Sequence, residues 1–373
     1  MVLRLEPGAC VSGIQPRSLA TAAYDYPVVP WEGTGGADAY GGASDFQGKM
    51  GPQYQSFVHG FNLTNVTIEG GGTIWGGGDF WWAAWAGHAG QFKGASRLNY
   101  SRPHTVHLVG VRGLAIRDVA VRRSPSWTLH LTFCSDVLVE RILVQTNDSQ
   151  TDGGNALFTP ANADGLDIDS CENVIVRDSV FHTHDDGIAL KSGKDWFGRH
   201  VGRPTQNVLI EGCTSSSPDG AIVFGSEMSG GIKNVTVRNH TVVNAGMGLW
   251  IKSMRNRGGA VEDILFDGIT MDGIGLQLAN IDMFYTCGVV TTHVCNATAT
   301  PAVRNVRFQN IVARNVKLGK GEQALFWLRG LPESSLDGIS ITNVTAVGVE
   351  PAAAAVMLSW TTRRLSGASP SAE

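Results

Sequence analysis

Asn173-Val174-Ile175-Val176-Arg177-Asp178 is a short phrase in which a turn residue is followed by alternating apolar residues and then by a second turn residue. Apolar alternation with a period of two predicts a half-buried strand, and Asn, Asp and Gly at the ends predict tight turns. The same phrase recurs at 65–68, 113–118, 136–140, 207–212, 234–239, 263–268, 305–310 and 338–343. Successive copies start 23 to 48 residues apart, which is a spacing typical of stacked solenoid coils.

The segments between these copies lack ten-residue amphipathic helical patterns, which argues against βαβ units. A propeller would need about four antiparallel strands in each repeat. The pattern therefore predicts an all-β fold, a parallel β-helix whose variable spacing reflects loops inserted on one face. Because a solenoid adds coils without adding domains, we expect one domain over residues 1–373.

Composition excludes several classes of protein. The formal net charge is −4 and there is no long run of Lys or Arg, which argues against binding nucleic acid through its phosphates. No stretch of 18 apolar residues is present, so we expect no membrane span. The glycine-rich run 70–78 lacks the lysine of a phosphate-binding loop and no helical pattern follows it, so we interpret it as solenoid turns. The aromatic residues after it (Phe80, Trp81, Trp82 and Trp85) favour packing over a sugar platform.

The cysteines and the glycosylation signals leave alternatives open. Cys134 and Cys171 each precede a strand by three residues, so we expect a buried stack of thiols rather than a disulfide. Cys287 and Cys295 could pair across a loop. Eight Asn-x-Ser/Thr sequons suit a secreted glycoprotein, although Asn-Val-Thr is also turn-then-strand chemistry in this repeat. The first residues contain no apolar segment of a signal peptide.

Three carboxylates lie about one coil apart in the chain. Asp164 precedes Asp185 by 21 residues and Asp186 by 22. Because stacked strands lie about 4.8 Å apart, these groups should be neighbours, and one should stay protonated since like charges raise each other's pKa. Hydrolysis of a glycosidic bond requires such a pair, one group to protonate the leaving oxygen and one to activate water. Asp185 and Asp186 can both reach the site only if the strand bends or ends there; otherwise one of them caps a turn. Asp167 and Asp169 are interpreted as turn or strand-face residues.

Downstream segments occupy similar offsets in later coils. If 217–220, 225–231 and 251–253 continue the same face, they line one cleft with the three carboxylates. Lys252, Arg255 and Arg257 would then form a cationic patch suited to an anionic sugar, the alternative being a solvated turn.

These residues resemble the motifs of glycoside hydrolase family 28, the polygalacturonases. The likeness is carried by Asn162-Ala163-Asp164-Gly165, by His184-Asp185-Asp186-Gly187 with 188–194, and by 124–130, 225–231 and 330–334. Segments 191–195 and 225–231 resemble the exo-acting branch. The resemblance implies a right-handed parallel β-helix that inverts the anomeric centre without metal or other cofactor, Asp185 being the general acid and Asp164 and Asp186 activating water. It also implies a set of substrate-binding residues: Lys252, Asp219, Trp250, Asn162, Arg255 and Tyr285.

The implied partner is a pectic polysaccharide or oligogalacturonide, bound by a monomer in the extracellular space or cell wall. Two positions depart from the family pattern. The histidine of its G-H-G motif corresponds to Asp219, and the arginine of its R-I-K motif corresponds to Trp250. The departures favour a shifted substrate such as a rhamnose-containing or substituted pectin. The alternatives are a catalytically impaired pectin-binding protein and a calcium-dependent pectate lyase. We also expect the chain to lack the family's first coils and N-terminal cap.

Overall fold

The computed structural model describes residues 1–18, 21–22, 25–29, 53–85, 100–146, 150–152, 155–285, 299–319, 324–350, 354–359 and 371–372. Its strands stack in parallel ladders, and each coil of the chain contributes one short strand to each ladder in turn. This is the right-handed parallel β-helix that the repeated phrase and the family resemblance predict.

Ladder 1 carries the candidate site. Its strands pair in parallel from coil to coil, in the order β5 (Val58–Phe61), β8 (Val106–Val109), β11 (Leu129–Thr132), β16 (Leu166–Asp169), β19 (Ile188–Lys191), β22 (Gly220–Gly225), β24 (Met247–Lys252), β26 (Ala279–Asp282), β28 (Ala324–Arg329) and β30 (Ala354–Ser359).

Ladders 2 and 3 form the rest of the coil wall. Ladder 2 stacks β1 (Val2–Arg4), β6 (Thr64–Glu69), β9 (Arg112–Arg117), β12 (Ser135–Glu140), β17 (Glu172–Arg177) and β20 (Thr205–Glu211). Ladder 3 stacks β2 (Cys10–Ser12), β7 (Thr73–Trp75), β10 (Ala120–Arg122), β13 (Leu143–Gln145), β18 (Val180–His182) and β21 (Thr214–Ser216). Longer strands then continue these two ladders, β23 (Ile232–Ala245), β25 (Ala260–Ile274), β27 (Ala302–Lys317) and β29 (Ser340–Glu350), and the two-residue strand β31 (Ser371–Ala372) pairs with β29.

Four strands pair outside the ladders, and two helices are described. The antiparallel pairs are β3 (Val28–Val29) with β4 (Gln53–Tyr54), and β14 (Gln150–Asp152) with β15 (Asn155–Phe158). The helices are α1 (Asp79–Trp85) and α2 (Asp195–Val201). Neither is long and apolar enough to cross a membrane.

The first residue of every repeated phrase has a left-handed backbone, with φ between 53° and 73°. Asn, Asp and Gly are the residues that enter this region at low cost, which explains why they recur there. Their side chains also bond from coil to coil: Asn234 Nδ2 donates to Asn207 Oδ1 at 2.8 Å, and Asn207 Nδ2 donates to Asn173 Oδ1 at 3.1 Å. The sequon at Asn234 therefore has the turn-forming role that the repeat predicts.

Apolar side chains of successive coils stack inside the ladders. Phe266 and Phe308 lie face to face with ring centroids 5.1 Å apart. The predicted thiol stack is confirmed, because Cys134 and Cys171 are buried, unpaired by any disulfide, and linked by the Cys134 N–H donating to Cys171 Sγ at 3.2 Å. Cys287 and Cys295 lie outside the described residues.

One prediction about the glycine-rich run was wrong. The run does form turns, with Gly70, Gly71 and Gly77 at positive φ, but helix α1 follows it directly. Three consecutive aromatic residues of α1 are fully buried, which confirms their packing role: Phe80, Trp81 and Trp82. Trp85 is exposed, and its ring lies 4.7 Å from the guanidinium of Arg102.

A column of alternating charge runs across the coils on the outer face of ladder 2. Strand register places one charged residue of each coil beside a residue of opposite sign in the next, in the order Arg4, Glu69, Arg117, Glu140, Arg177, Glu211, Arg238 and Asp267. Representative nitrogen-to-oxygen distances are 2.7 Å for Arg177 to Glu140 and 2.6 Å for Arg238 to Glu211. We call these eight residues the charge column.

Candidate active site

Asp164, Asp185 and Asp186, here called the carboxylate cluster, lie on the turns that lead into two adjacent strands of ladder 1. Leu166 of β16 pairs with Ile188 of β19, so Asp164 lies beside Asp186 one coil away. The backbone agrees, since the Gly165 N–H donates to the Asp186 carbonyl at 2.9 Å. One carboxylate oxygen from each of the three residues lies within 4.8 Å of the other two. The predicted proximity of the three groups is confirmed.

Asp185 and Asp186 both face the cluster because β19 begins only at Ile188. The alternation of a regular strand does not yet apply at these two positions. Asp186 is buried with Asp164, whereas Asp185 is half-buried. The Asp186 N–H donates to Asp185 Oδ1 at 2.8 Å, which fixes the orientation of the more exposed carboxyl group.

Asn162 holds the other oxygen of Asp185. Its backbone N–H and its Nδ2 donate to Asp185 Oδ2 at 3.2 and 3.1 Å. Its own Oδ1 accepts from Arg102 Nη2 at 2.8 Å, and Arg102 also donates to the carbonyls of Ala161 and Pro125. Burial lowers the pKa of Arg102 to about 10, against the opposing effect of Asp185 and Asp164. Asn162 is thus a contact of Asp185, while its role in substrate binding stays a prediction.

Two lysines at the C-terminal ends of ladder 1 strands contact the buried acids. Lys252 Nζ donates to Asp186 Oδ2 at 2.8 Å. Lys191 Nζ lies 3.2 Å from Glu227 Oε2, 3.6 Å from Asp167 Oδ1 and 3.9 Å from Asp164 Oδ2. Burial alone would lower the pKa of each lysine, but the surrounding carboxylates raise both above the ordinary value. Both ammonium groups are therefore charged and compensate the cluster.

Asp167 and Asp169 are strand-face residues of β16, as predicted, but they are also buried. They alternate with the core residues Leu166 and Ile168, so they face outward beneath the loops. Asp169 Oδ1 accepts from the Gly193 N–H at 3.0 Å. Burial raises the pKa of Asp169 to about 7, against the lowering effect of the Gly193 N–H.

The pKa values of Asp164 and Asp186 in the carboxylate cluster are also raised. Burial, followed by the nearby carboxylates of Asp167 and Asp185, raises the pKa of Asp164 well above its ordinary value. Burial also raises the pKa of Asp186, although Lys252 opposes the rise. Glu227 behaves in the opposite way, since Lys191 and Arg257 overcome its burial and lower its pKa. The site therefore holds some carboxyl groups protonated and others ionised over the same pH range.

Asp219 lies at the mouth of the cluster. Ile188 pairs with Ile222 across β19 and β22, so Asp219 occupies the position of Asp185 one coil further along. The residue as a whole is exposed, but partial burial of its carboxyl group, followed by the nearby Asp185 and Asp186, raises the pKa of Asp219 to about 6.

Trp250 and Tyr285 form an aromatic wall beside Lys252. Their ring centroids are 5.7 Å apart, and Lys252 Nζ lies 4.3 Å from the Trp250 ring and 5.3 Å from the Tyr285 ring. Trp250 pairs with Val223 in the register of β22 and β24. The structure thus brings together Lys252, Asp219, Trp250 and Tyr285 around the carboxylates.

The sequence pattern described as "Glycosyl hydrolases family 28" matches residues 39–348. The chain belongs to glycosyl hydrolases family 28. A "Probable polygalacturonase" of Vitis vinifera is 32% identical over 322 residues, covering 85% of this chain and 59% of that protein. An "Exo-poly-alpha-D-galacturonosidase" of Dickeya chrysanthemi is 27% identical over 215 residues, covering 58% of this chain and 33% of that protein. This family 28 chain thus spans only part of the length of these relatives.

The fold of this family 28 chain is also that of solved structures. The crystal structure of an exopolygalacturonase from Thermotoga maritima superposes with a TM-score of 0.75 at 23% identity, covering 97% of this chain and 79% of that one. At this level of identity the likeness concerns the fold alone. It agrees with the right-handed β-helix described above.

The predicted cationic patch of this family 28 site was wrong. Arg255 pairs with Glu333, Nη2 lying 2.9 Å from Oε2. Arg257 is buried, pairs with Asp195, and donates from Nε to the Ser226 carbonyl at 2.9 Å. Because Lys252 is bound to Asp186, each of the three predicted cations is neutralised by a protein carboxylate. Spacing alone could not reveal these partners, because Glu333 and Asp195 come from other coils.

A second titratable cluster lies on the preceding coils of ladder 1, where His107 and His130 share the register position of Asp167. His104, His107 and His130 are buried, and one ring nitrogen of each lies within 4.8 Å of the others. The rings of His107 and His130 are stacked, with centroids 4.5 Å apart and planes within 7°. Two parallel stacked rings cannot both direct an in-plane lone pair at one ion, so the arrangement does not fit a trihistidine metal site. Burial lowers the pKa of all three, to about 3 for His130, which keeps this stack neutral.

Sequence reasoning missed Arg102 and did not single out Lys191 or Glu227 within their motifs. Arg102 lies outside every repeated phrase and carries no spacing signal. Lys191 could have been found from strand alternation, because it occupies the register position next to Asp169 once β16 and β19 are paired.

Proposed function

We propose that the protein is a glycosidase that hydrolyses galacturonate-containing pectic polysaccharide with inversion at the anomeric carbon. The observation that carries the proposal is the carboxylate cluster, three carboxyl groups from successive turns with oxygens within 4.8 Å, on the fold of family 28. The names of the relatives from Vitis vinifera and Dickeya chrysanthemi support the substrate class.

Asp185 is assigned as the general acid. It is the most exposed carboxyl group of the cluster, so it is the one that a polymer in the cleft can approach. Its Oδ2 accepts two N–H bonds from Asn162, whereas its Oδ1 accepts the N–H bond of Asp186 and retains a second lone pair for the proton. It donates its proton to the glycosidic oxygen as the bond from that oxygen to the anomeric carbon breaks.

Asp164 and Asp186 are assigned to the attacking water. Two oxygens up to 4.8 Å apart can both bond one water molecule at about 2.8 Å. One ionised carboxylate accepts a proton from that water while its oxygen bonds to the anomeric carbon from the side opposite the leaving group. Lys252 stabilises the ionised form of Asp186, and Lys191 stabilises that of Asp164.

We further propose cleavage from chain ends by a monomer that works outside the cell. Cleavage from chain ends is supported by the exo-acting name of the Dickeya chrysanthemi relative and by segments 191–195 and 225–231. The extracellular location is supported by the eight sequons.

The test is chromatography of the products from polygalacturonan and from rhamnogalacturonan, comparing the parent protein with Asp185→Asn. We expect the parent to release mainly a single small sugar from the start of the reaction, and the variant to release almost none. Release of no reducing sugar from any pectic polymer, with Asp185→Asn indistinguishable from the parent, would overturn the proposal. Tight binding of oligogalacturonates by calorimetry without turnover would instead favour a pectin-binding protein, a second candidate motivated by Asp219 and Trp250.

A further inference from the structure

The mouth of the carboxylate cluster presents an acid and an aromatic ring. Asp219 is exposed there, next to Asp185 and Asp186, and Trp250 is half-exposed beside Lys252. A sugar that reaches Asp185 in the proposed reaction must therefore pass close to the Asp219 carboxyl group and the Trp250 ring. An aromatic ring offers the apolar face of a pyranose a contact surface without requiring any charge on the sugar.

The cations near this mouth are already engaged by protein carboxylates. Lys252 is bound to Asp186, and Lys191 lies among Glu227, Asp167 and Asp164. Lys252, Lys191 and Arg257 are each less than a tenth exposed. Arg257 is held by Asp195, and the charge of Lys194 acts on Glu227. Lys252, Lys191 and Arg257 thus neutralise protein carboxylates, and Arg102, which is also buried beside the cluster, is held by Asn162 and the carbonyls of Pro125 and Ala161.

A galacturonate carboxylate at this mouth would be repelled. Asp219, Asp185 and Asp186 are the nearest carboxyl groups. The cations that act on them are Lys252, Lys191 and Arg102, which are buried and already bound to protein groups. A bidentate arginine would offset such repulsion, but Arg255 and Arg257 are committed elsewhere. The repulsion grows as Asp219 ionises, since a like charge nearby disfavours the ionised form of both groups.

We propose that the sugar bound against Asp219 and Trp250 is uncharged. Within a galacturonate-containing polymer it is either a neutral sugar or a galacturonate whose carboxyl group is methyl-esterified. This inference rests on the proposed function, because it names the kind of unit that the same site accepts. A neutral sugar and a methyl-esterified galacturonate both present a pyranose ring without a carboxylate.

Kinetics on matched oligosaccharides tests the inference. Galacturonate oligomers of one length are compared in fully methyl-esterified and fully saponified form, with rhamnogalacturonan oligomers of similar length as a third substrate. We expect kcat/KM to be at least tenfold higher for the methyl-esterified oligomer or for the rhamnogalacturonan oligomer than for the saponified oligomer. A preference for the first indicates that the site binds the methyl ester, and a preference for the second indicates that it binds a neutral sugar. A higher kcat/KM for the saponified oligomer than for both of the others would overturn the inference.

A binding measurement separates this inference from the proposed function. In Asp185→Asn, calorimetry at pH 7 should show at least fivefold tighter binding of an uncharged-unit oligomer than of the saponified oligomer, whether or not the parent turns either over. Tighter binding of the saponified oligomer would contradict the inference even if the parent proves to be an active hydrolase. Loss of all turnover with the expected binding preference would overturn only the hydrolytic function.

An isosteric substitution that removes the charge gives the matched variant. Asp219→Asn replaces the exposed carboxyl group by an amide with almost no change of shape. Above about pH 6 it should lower KM for the saponified oligomer several-fold, and by a larger factor than it changes KM for the methyl-esterified oligomer. Equal changes in KM for both oligomers would show that Asp219 acts through structure rather than charge, and would count against the proposal.

Discussion

The charge column on ladder 2 and the carboxylate cluster on ladder 1 are both built from side chains stacked one coil apart. In the column, acid and base alternate strictly, and each arginine is at least partly exposed, although Glu69 and Glu140 are buried beneath their arginine partners, so each charge meets an opposite one at the surface. In the cluster, carboxyl groups meet carboxyl groups, and burial raises the pKa of Asp164 and Asp186. The same stacking thus yields a neutralised surface on one face and a proton-transfer site on the other.

This difference indicates which face of the solenoid carries the functional residues. On ladder 2 successive coils repeat a turn residue, alternating apolar residues and a charged residue, because the same turn and the same ion pairing recur from coil to coil. On ladder 1 the equivalent positions change from coil to coil, from Trp127 to Asp164 to Asp186 to Gly220. Departure from the repeat on one face therefore indicates the functional residues.

Asp185→Asn should have the largest effect, because it removes the proposed acid without changing shape. We expect kcat/KM on a pectic substrate to fall by about 10²- to 10⁴-fold, the usual range for a general acid. Asp178→Asn is the matched control, since Asp178 lies in the same coil but on an exposed turn between ladders 2 and 3. Steady-state kinetics on both variants tests this difference. Equal losses of activity would contradict the special role of Asp185.

Lys252→Met should cost more stability than Arg238→Met. Removing Lys252 leaves Asp186 buried without its 2.8 Å partner, and breaking a buried pair costs about 3–5 kcal/mol. Arg238 is half-exposed in the charge column, so its loss should cost less than about 1 kcal/mol. Urea unfolding of both variants measures the difference. Equal losses would contradict the contrast between the two faces.

Asp169 should make the protein less stable as pH rises. Its pKa is about 7 in the folded state, above the ordinary value of 3.8, so the folded state binds more protons than the unfolded state between these pH values. The free energy of unfolding should therefore fall from about pH 4 to pH 7, by an amount of the order of 4 kcal/mol. Glu227 affects the free energy of unfolding only below about pH 4, because its pKa is lowered in the folded state. The melting temperature should fall less between pH 5 and pH 8 in Asp169→Asn than in the parent protein. In Asp178→Asn the melting temperature should fall by as much as in the parent.

Asn207→Ala should have the smallest effect. Asn207 has a φ of 56°, a region that costs an ordinary L-residue about 1–2 kcal/mol. We expect Ala to be about 1 kcal/mol less stable than Gly at this position, because both lose the asparagine stack but only Ala bears the backbone penalty. Comparing urea midpoints of Asn207→Ala and Asn207→Gly isolates that penalty. Equal midpoints would contradict the explanation of the repeated turn.

Much of the fold followed from the repeat, because its phrase encodes both strand and turn. The nine turn residues, the stacked thiols of Cys134 and Cys171 and the neighbouring acids could all be predicted from spacing. Helix α1 could not, since its seven residues show no amphipathic period and its aromatic side chains are buried by contact with distant Tyr26 and Tyr54.

The coil spacing predicted which carboxylates of the site lie side by side. It did not predict the ion-pair partners of the arginines. Asp164 and Asp186 are equivalent in register, so their meeting could be inferred. The commitment of Arg255 to Glu333 and of Arg257 to Asp195 depends on side chains 78 and 62 residues away in the chain. Such pairs are set by loop packing, for which the sequence carries no periodic signal.

The most direct test of the carboxylate cluster is the anomeric configuration of the first product, followed by proton NMR during hydrolysis of an α-linked galacturonate oligomer or its methyl ester. We expect the β anomer to appear first and to equilibrate only later, because water held by Asp164 and Asp186 attacks opposite the leaving oxygen. First appearance of the α anomer, or of an unsaturated sugar, would contradict this expectation.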